Sequence, residues 1–462
     1  MKFIDPKIVK LSLALAWPIS LQSVMTNSLS MIDVAMVSHL GDAAVSAVGL
    51  SNRFQFVILG ILLGIAWTVG VLSAQFYGAN KIGKIRSTIG MACILAHIAL
   101  LPIILFNLFF ADSIIGWAST DAETIKLGQH YLWIIIPSLS FVAVVLILEN
   151  AIRGLGQVKT PMMLSLCAIS INIILNFWLI NGGLGVPPLG VMGAAIATVI
   201  ARTIHVGLML TILYQRKHVL WFKRADFQHL LDLEQVQHFL KLAMPMMISF
   251  GVWSCGTFVY QVIYGQLGSR ELAVMSILTP IESIFIALFF GMSSACSITV
   301  GQHLGANRFD DAWQCARTYA FLNPIAAFGV GLIIFLSRDF ILMPFSGLPA
   351  ETLAAAETVF IFITLTAWIK VINMTLAMGV LRAGGETKAC MYIDVIGMWI
   401  ISIPLTLIAA LYLKWPLIFV VMVAYSEELC KVALFVWRIK KKHWLRNLTI
   451  NKSKQPGLSA KV

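Results

Sequence analysis

Long apolar stretches recur along the whole of this chain, and they constrain its fold more than any other feature. Each is about 20 residues or longer, the length that a helix needs to cross the hydrocarbon core of a bilayer. A helix also satisfies its own backbone hydrogen bonds, which lipid cannot do. We count twelve stretches, at residues 8–37, 46–74, 88–111, 127–151, 160–182, 190–214, 239–264, 273–299, 314–336, 354–381, 389–413 and 416–437. The pattern predicts an all-α polytopic membrane protein with twelve transmembrane helices.

The distribution of basic residues predicts the orientation of these helices. The chain has 33 Lys and Arg against 21 Asp and Glu, and this net charge of +12 could indicate a nucleic-acid partner. If the N-terminus is inside, however, 24 of the 33 lie in inside loops and tails, five within helices and four in outside loops. That is the positive-inside rule with both termini cytoplasmic. We therefore expect a multi-pass protein of the bacterial inner membrane, in contact with the lipid bilayer, and no nucleic-acid partner.

The chain also reads as a tandem duplication. Residues 16–18 (Ala-Trp-Pro) recur as 243–245 (Ala-Met-Pro), and residues 75–80 (Gln-Phe-Tyr-Gly-Ala-Asn) recur as 302–307 (Gln-His-Leu-Gly-Ala-Asn), both with an offset of 227. Six predicted helices in each copy give the two copies the same orientation. Parallel repeats of this kind place the transport cavity between them.

The duplication divides the chain into four predicted regions. They are an N-lobe of helices 1–6 (residues 1–214), a cytoplasmic inter-lobe linker (215–237), a C-lobe of helices 7–12 (238–437) and a basic cytoplasmic tail (438–462). The linker either lets the two lobes rock or is only a solvated loop between the repeats. The tail combines a run of Lys and Arg with Gly, Ser and Pro, so we expect it to be disordered at anionic lipid headgroups.

One carboxylate, Asp33, stands in the first apolar stretch, and its matching position in the second copy holds Tyr260. A carboxylate at membrane depth costs several kcal/mol, so it is rarely there without a function. Such a group can bind a proton on one side of the membrane and release it on the other as its surroundings change. The alternative is a structural acid held by hydrogen bonds or by a basic neighbour such as Arg53. A duplicated bundle with one buried acid in one half indicates an ion-coupled transporter.

Several motifs, taken in order, resemble the multidrug and toxic compound extrusion (MATE) family. They are Pro18 with Asp33 fifteen residues later, the paired loops at 153–156 (Arg-Gly-Leu-Gly) and 382–385 (Arg-Ala-Gly-Gly), the paired Gly-Ala-Asn loops, and residues 190–198 at the start of the sixth helix. The resemblance spans nearly the whole chain. It implies two lobes that form a V-shaped central cleft and alternate in access. It also implies efflux of bulky, often cationic, drug-like compounds in exchange for protons or sodium ions.

The resemblance also assigns roles to particular residues. In proton-coupled bacterial members a first-helix acid shares a hydrogen-bond network with fifth-helix polar residues; the matching positions here are Asn172 and Asn176, with Thr198 as a further member. The two Asn residues are one helical turn apart and share a face, although Asn can also act as interhelical glue. Pro18 removes a backbone hydrogen bond, so the first helix either bends there when Asp33 is protonated or carries a static kink.

The C-lobe departs from the sodium-linked members of the family. The positions of their two C-lobe acids hold Trp253 and Val371 here. This favours proton coupling through Asp33 and leaves sodium at the same site as an alternative. The candidate polar site of the C-lobe consists of Tyr260, Glu282, Lys370 and Asn373. Lone buried charges would be costly, so we expect its acid and base to form an ion-pair gate or a static structural pair.

Motifs for other classes of function are missing from the sequence. It has no phosphate-binding Gly-Lys-Ser loop and no His and Cys cluster with metal-ligand spacing. We therefore expect no enzyme, no catalytic residue, no cofactor and no metal. The expected partners are small drug-like molecules, and we expect a monomer. Two alternatives stay open: a flippase of a lipid-linked precursor, which would hold several basic residues in its cavity, and an intramembrane enzyme or receptor.

Overall fold

The computed structural model describes residues 6–183, 185–223, 226, 232–345 and 347–450. Sixteen α-helices account for most of these residues: α1 Pro6–Val37, α2 Asp42–Gly78, α3 Ile82–Gly116, α4 Ala122–Ile135, α5 Leu139–Gly154, α6 Lys159–Asn181, α7 Gly190–Gln215, α8 Leu233–Leu267, α9 Ser269–Gly305, α10 Phe309–Leu336, α11 Arg338–Leu342, α12 Ala350–Met374, α13 Thr387–Val395, α14 Ile403–Leu407, α15 Leu417–Ala424 and α16 Ser426–Lys440. Three π-helical segments, Thr375–Leu381, Ile396–Ser402 and Ile408–Tyr412, follow α12, α13 and α14. The part of the chain described here contains no β-strand, and the all-α prediction is confirmed.

Ten helical segments are long and apolar enough to cross a membrane. They are α1, α2, α3, α6, α7, α8, α9 and α10, then α12 with its π-helical extension, and the segment Thr387–Tyr412. An eleventh forms if α4 and α5 are taken together, since they meet at a bend of 48°. Pro137 lies in that bend, where its missing N–H and its ring oppose a continuous helix. The prediction of a polytopic membrane protein is confirmed.

The last predicted span, residues 416–437, is divided in the structure. Its two parts are α15, of 8 residues, and α16, of 15 residues, which meet at Tyr425. Neither is among the ten segments that are long and apolar enough to span on their own. The physical reason is polarity, because α16 begins with Ser426, Glu427 and Glu428 and carries Lys431 one turn later.

The chain packs as two compact units. The N-unit comprises Leu21–Met247, and the C-unit comprises Met1–Ser20 together with Ile248–Val462. The boundaries therefore fall inside α1 and α8, whereas the predicted lobes are divided at the linker, residues 215–237.

Two glycines at equivalent repeat positions allow the first half of α8 to pack within the N-unit and the first half of α1 to pack within the C-unit. In the N-unit, Gly64 of α2 lies so close to Met247 of α8 that a side chain at the glycine would clash. In the C-unit, Gly291 of α9 lies equally close to Ser20 of α1. Both pairs are related by the repeat offset of 227 residues. The first half of each repeat's opening helix is thus held by a close backbone approach that only glycine permits.

The described part of the linker is docked on the N-unit. Leu220 is fully buried, and the ring of His218 lies 2.8 Å from the side-chain oxygen of Gln157. Arg86 of α3 pairs with Asp226 at 2.6 Å. Residues 224, 225 and 227–231 of the predicted linker lie outside the described residues.

The beginning of the C-terminal tail is packed on the C-unit. Trp444 is fully buried and stacks on Trp313 with ring centroids 6.0 Å apart. Arg446 donates to the carbonyl of Gly384 at 2.9 Å. The expectation of disorder is therefore wrong for residues 438–450, because the indole finds a partner on α10 and the guanidinium finds one on the loop before α13. Residues 451–462 lie outside the described residues.

Candidate functional site

Four polar side chains predicted as a coupling network meet in the N-unit. Asn176 donates from Nδ2 to Asp33 Oδ1 at 2.6 Å and to Asn172 Oδ1 at 3.1 Å. Asn172 in turn donates to the hydroxyl of Thr198 at 3.3 Å, which donates to the Ala194 carbonyl at 3.0 Å. We call Asp33, Asn172, Asn176 and Thr198 the Asp33 centre. It links α1 to α6 and α6 to α7 through side chains alone.

The Asp33 centre contains one unsatisfied oxygen. Asn172 and Asn176 are 2% and 0% exposed, while Asp33 is half-buried. Oδ1 of Asn176 is buried and accepts no hydrogen bond from the described residues. Such an orphan acceptor costs free energy where it stands. It also gives the centre a place for one more donor, which a protonated carboxyl would supply.

The basic neighbour of Asp33 is Arg202. Arg53 is the basic neighbour expected from the sequence, but its side chain is exposed. Arg202 of α7 lies in electrostatic range of both Asp33 and Tyr131. Its guanidinium donates to the Ser138 hydroxyl at 2.6 Å and to the side-chain oxygen of Gln55 at 3.3 Å. Sequence reasoning did not assign Arg202 to the site, although a cation within an apolar helix is by itself a signal that a partner is near.

A second polar cluster of the N-unit was missed from the sequence. Glu149 of α5 is 3% exposed and pairs with Arg153, one turn later, at 3.2 Å. Arg153 also donates to Gln22 of α1 at 2.7 Å, and Ser165 of α6 donates to Glu149 at 2.7 Å. His205 of α7 lies 3.7 Å from the same carboxylate. We call these five residues the Arg153 centre; it shows that Asp33 is not the N-unit's single intramembrane acid.

Pro18 lies inside α1, and the helix continues through it from Pro6 to Val37. Its side chain is buried. The proline precedes by two residues the point at which α1 passes from the C-unit to the N-unit, between Ser20 and Leu21. Ser20 donates to the carbonyl of Leu288 within the C-unit. The missing backbone hydrogen bond thus lies next to the change of unit.

The predicted C-lobe residues form three separate centres. Lys370 and Glu282 pair at 2.5 Å, and Tyr425 donates to the same carboxylate at 3.0 Å. Asn373 lies elsewhere, since it donates to the Glu428 carboxylate at 2.7 Å. The structure therefore brings together the predicted ion pair but gives Asn373 a different partner.

Tyr260 belongs to the third centre. Its hydroxyl donates to Glu427 Oε2 at 2.9 Å and lies 2.7 Å from the hydroxyl of Ser402. We call Tyr260, Ser402 and Glu427 the Tyr260 centre. Glu427 and Lys431 were not assigned from the sequence, although charges in a predicted span were the available signal. The described residues contain no group of three or more His, Cys, Asp and Glu side chains able to hold a metal ion.

Comparison with known proteins accounts for both the fold and the duplication. A family model described as MatE matches residues 18–178 and 245–408. This chain belongs to the MATE family of transporters. The two matched segments begin at Pro18 and at Pro245, the same position of the two repeats. The predicted family membership and the duplication are therefore confirmed.

Relatives of known name cover most of the chain. A probable multidrug resistance protein NorM from Thermotoga maritima is 26% identical over 422 residues, covering 88% of this chain and 87% of that protein. The probable multidrug resistance protein YoeA of Bacillus subtilis is 25% identical over 399 residues, covering 86% of each. Membership of this family and the recurring apolar helices make the chain a multi-pass membrane transporter.

Solved structures show the same fold at low identity. The crystal structure of a MATE transporter in complex with MaL6 matches with a TM-score of 0.86 and 18% identity, covering 94% of this chain and 96% of that one. The Vibrio cholerae MATE transporter VcmN in its bent form matches with a TM-score of 0.85 and 18% identity, covering 95% and 97%.

Proposed function

We propose that this MATE-family transporter exports drug-like, mostly cationic and amphipathic compounds in exchange for protons bound at Asp33. The substrate class follows the relatives, which are named as probable multidrug resistance proteins. The coupling site rests on one observation above all. The Asp33 carboxylate accepts a hydrogen bond from the buried Asn176 amide, whose own oxygen has no hydrogen-bond partner among the described residues.

Protonation would reorganise the hydrogen bonds of the Asp33 centre. The ionised carboxylate only accepts, so it suits the N–H of Asn176. A protonated carboxyl also donates, and a flip of the Asn176 amide would present Oδ1, the orphan acceptor, to that proton. The flip would withdraw the N–H from Asn172 as well, so the change reaches α6 and α7. One proton therefore switches a set of interhelical bonds between two arrangements.

The first helix carries this change toward Pro18. Residues 21–37 of α1 belong to the N-unit and residues 6–20 to the C-unit. A helix that is released at Asp33 and already lacks a backbone bond at Pro18 bends most easily there. In the proposed cycle, external protons load Asp33, substrate leaves outward, and the proton leaves inward.

Two features of the Asp33 centre favour the proton over a sodium ion. Asn176 directs an N–H, not an oxygen, at the carboxylate. Arg202 lies in electrostatic range of Asp33, and a second cation at the same carboxylate would be repelled by it. A proton needs no coordination shell of oxygens and only rearranges the existing bonds.

The flippase alternative is less well supported by the charges within the helices. Arg153, Lys370 and Arg382 lie 3.2, 2.5 and 3.3 Å from the carboxylates of Glu149, Glu282 and Asp394. Each of these three cations already pairs with an acid, and the guanidinium of Arg202 donates to Ser138 and Gln55. A site for a lipid phosphate would instead need cations free to contact the ligand.

Transport by the reconstituted protein tests the coupling. Liposomes loaded with ethidium, a fluorescent aromatic cation, receive an inward proton gradient or an inward sodium gradient in separate runs. We expect efflux driven by protons alone, and its loss in Asp33→Asn. The matched control is Asp112→Asn, the same change at an exposed aspartate bonded to its neighbour Ser113; it should behave as wild type. Efflux driven by the sodium gradient would show that the coupling ion is sodium and not the proton.

A further inference from the structure

The acid that the second repeat lacks at Tyr260 is supplied from another helix. Tyr260 stands at the position of Asp33, offset by 227 residues. Its hydroxyl donates to Glu427 on α16, and Ser402 beside it donates to the Ala424 carbonyl at 2.8 Å. The Tyr260 centre is thus the geometric counterpart of the Asp33 centre, with its carboxylate on the last helix of the repeat.

Glu427 is deeply buried, and its cationic partner among the described residues is Lys431. The Glu427 side chain is 6% exposed and pairs with Lys431, one turn later on α16. The Lys431 ammonium also lies 3.6 Å from Asp394 of α13. Asp394 is held by Arg382 at 3.3 Å and accepts from Ser249. Two carboxylates and two cations therefore alternate along one line, and Lys431 stands between the two acids.

This arrangement offers Lys431 a second partner if Glu427 loses its charge. A proton on Glu427 removes the attraction that holds Lys431 there, and Asp394 is then the nearest carboxylate. The Tyr260 hydroxyl loses a charged acceptor at the same time, and a charge-assisted hydrogen bond is roughly twice as strong as a neutral one. Protonation would therefore move a lysine and loosen a tyrosine on a different helix, α8.

Other charged and titratable groups surround Glu427 from the neighbouring helices. From α16 itself comes the adjacent Glu428, bonded to Asn373 of α12. From α8 comes Tyr264, which interacts electrostatically with Glu427, Glu282 and Lys370. The remaining groups are Tyr260, Tyr425, Lys370, Glu282, Asp394, Cys390, Arg382 and Lys431.

We propose that Glu427 is a second proton-binding carboxyl of the transport cycle. Its protonation weakens the hydrogen bond from Tyr260 and moves Lys431 from Glu427 to Asp394. The inference rests on the proposed proton antiport and deepens it by adding a C-unit site. In the step itself, a proton adds to the Glu427 carboxylate, the Lys431 ion pair opens, and the ammonium moves to Asp394. On release of the proton the pair forms again.

Counting protons released on ligand binding tests this assignment. The purified full-length protein in weakly buffered solution is titrated with ethidium, and the pH change gives the protons released per ethidium bound. We expect Glu427→Gln to release about one proton fewer than wild type, since one titrating group is removed. Asp33→Asn should lose a different proton, and the double variant should lose both. Glu427→Asp keeps a carboxyl and should keep the count with a shifted pH midpoint.

A matched control separates proton binding from the loss of a buried pair. Glu386 is buried in the same unit and pairs with Arg438 at 2.5 Å, so Glu386→Gln breaks a comparable ion pair. It should leave the proton count at the wild-type value. An unchanged count in Glu427→Gln, with a lower count in Asp33→Asn, would overturn the C-unit site and keep the proposed function. A wild type that releases no proton would overturn both.

Discussion

The Asp33 centre and the Tyr260 centre stand at equivalent positions of two repeats, yet they place their charges differently. In the N-unit the acid lies on the first helix of the repeat, as Asp33, and the cation on the sixth, as Arg202. In the C-unit Tyr260 holds the position of Asp33, and the acid that accepts its hydrogen bond is Glu427, on the last helix of the repeat. The difference teaches that the duplication kept the helical scaffold, while the helix that supplies the carboxylate changed.

The Arg153 centre and its C-unit counterpart also take their carboxylates from different helices. Arg382 donates to Ser249 at 2.9 Å and to Asp394 at 3.3 Å. Arg382 and Ser249 are the repeat equivalents of Arg153 and Gln22, offset by 229 and 227 residues. In the N-unit the carboxylate comes from the arginine's own helix, and in the C-unit it comes from α13. An arginine at membrane depth needs a partner, and in these two centres different helices provide the acid.

The largest effect is expected from removing one partner of the Arg153 centre. Arg153→Met leaves Glu149 as a buried charge without its cation, and breaking such a pair costs about 3–5 kcal/mol. Thermal unfolding of the purified variant should show a much lower midpoint. The double variant Arg153→Met/Glu149→Gln should recover most of it, because both charges are gone. Arg53→Met, the same change at an exposed arginine of α2, is the control; equal midpoints for the two single variants would contradict the account.

A smaller difference in unfolding free energy is expected between substitutions in the two segments that follow α7 and α16, the last helices of the two repeats. Both α7 and α16 end two residues before a lysine with positive φ, Lys217 at 44° and Lys442 at 57°. Trp444→Ala removes a fully buried indole and should cost roughly 3 kcal/mol. His218→Ala removes two partly exposed hydrogen bonds, one with Gln157 and one from the Leu220 backbone N–H, and should cost about 1–2 kcal/mol. Unfolding midpoints measure both, and equal losses would show that the two segments are held alike.

The smallest expected effect is a pH dependence of the unfolding free energy that comes from Asp226, in the segment after α7. Partial burial alone would raise the pKa of Asp226, but the hydrogen bond from Arg86 and the Lys223 backbone N–H lower that pKa below its ordinary value. A lowered pKa means that the stabilisation is present above the ordinary value, about 4 for aspartate, and is lost as the pH falls through the lowered one. The expected contribution is below about 1 kcal/mol.

Comparing Asp226→Asn with wild type measures this dependence. Their unfolding midpoints should differ at neutral pH and converge in acid. The Trp444→Ala loss should change little over the same range, since stacked indoles carry no charge. A difference in unfolding midpoint between Asp226→Asn and wild type that persists unchanged below the lowered pKa would contradict the ion-pair explanation.

The sequence predicted the fold class and part of the site for identifiable reasons. Apolar runs of spanning length predicted the helices, and the repeat offset predicted the duplication. Asn172 and Asn176 were assigned through the resemblance to the MATE family, and their spacing of one turn agreed with it by placing them on one face. The pairing of Glu282 with Lys370 was expected because lone charges are costly in a bilayer.

What the sequence did not predict depends on which helices face each other. Arg202, Glu149 and Glu427 are visible as charges within apolar stretches, but no local pattern says which partner each one meets. Asn373 was grouped with Tyr260 for the same reason, whereas its amide bonds Glu428. The packed tail was missed because a run of basic residues is typical of a solvated segment, and only the fold shows that Trp444 is buried.

Ethidium exchange measured beside proton-driven efflux tests most directly the claim that Asp33 couples transport without building the fold. In Asp33→Asn liposomes, exchange of labelled for unlabelled ethidium with no ion gradient should continue, because the pathway is intact. Acceleration of efflux by an inward proton gradient should be lost. Acceleration as large as in wild type would contradict the account, since it would remove Asp33 from the coupling mechanism.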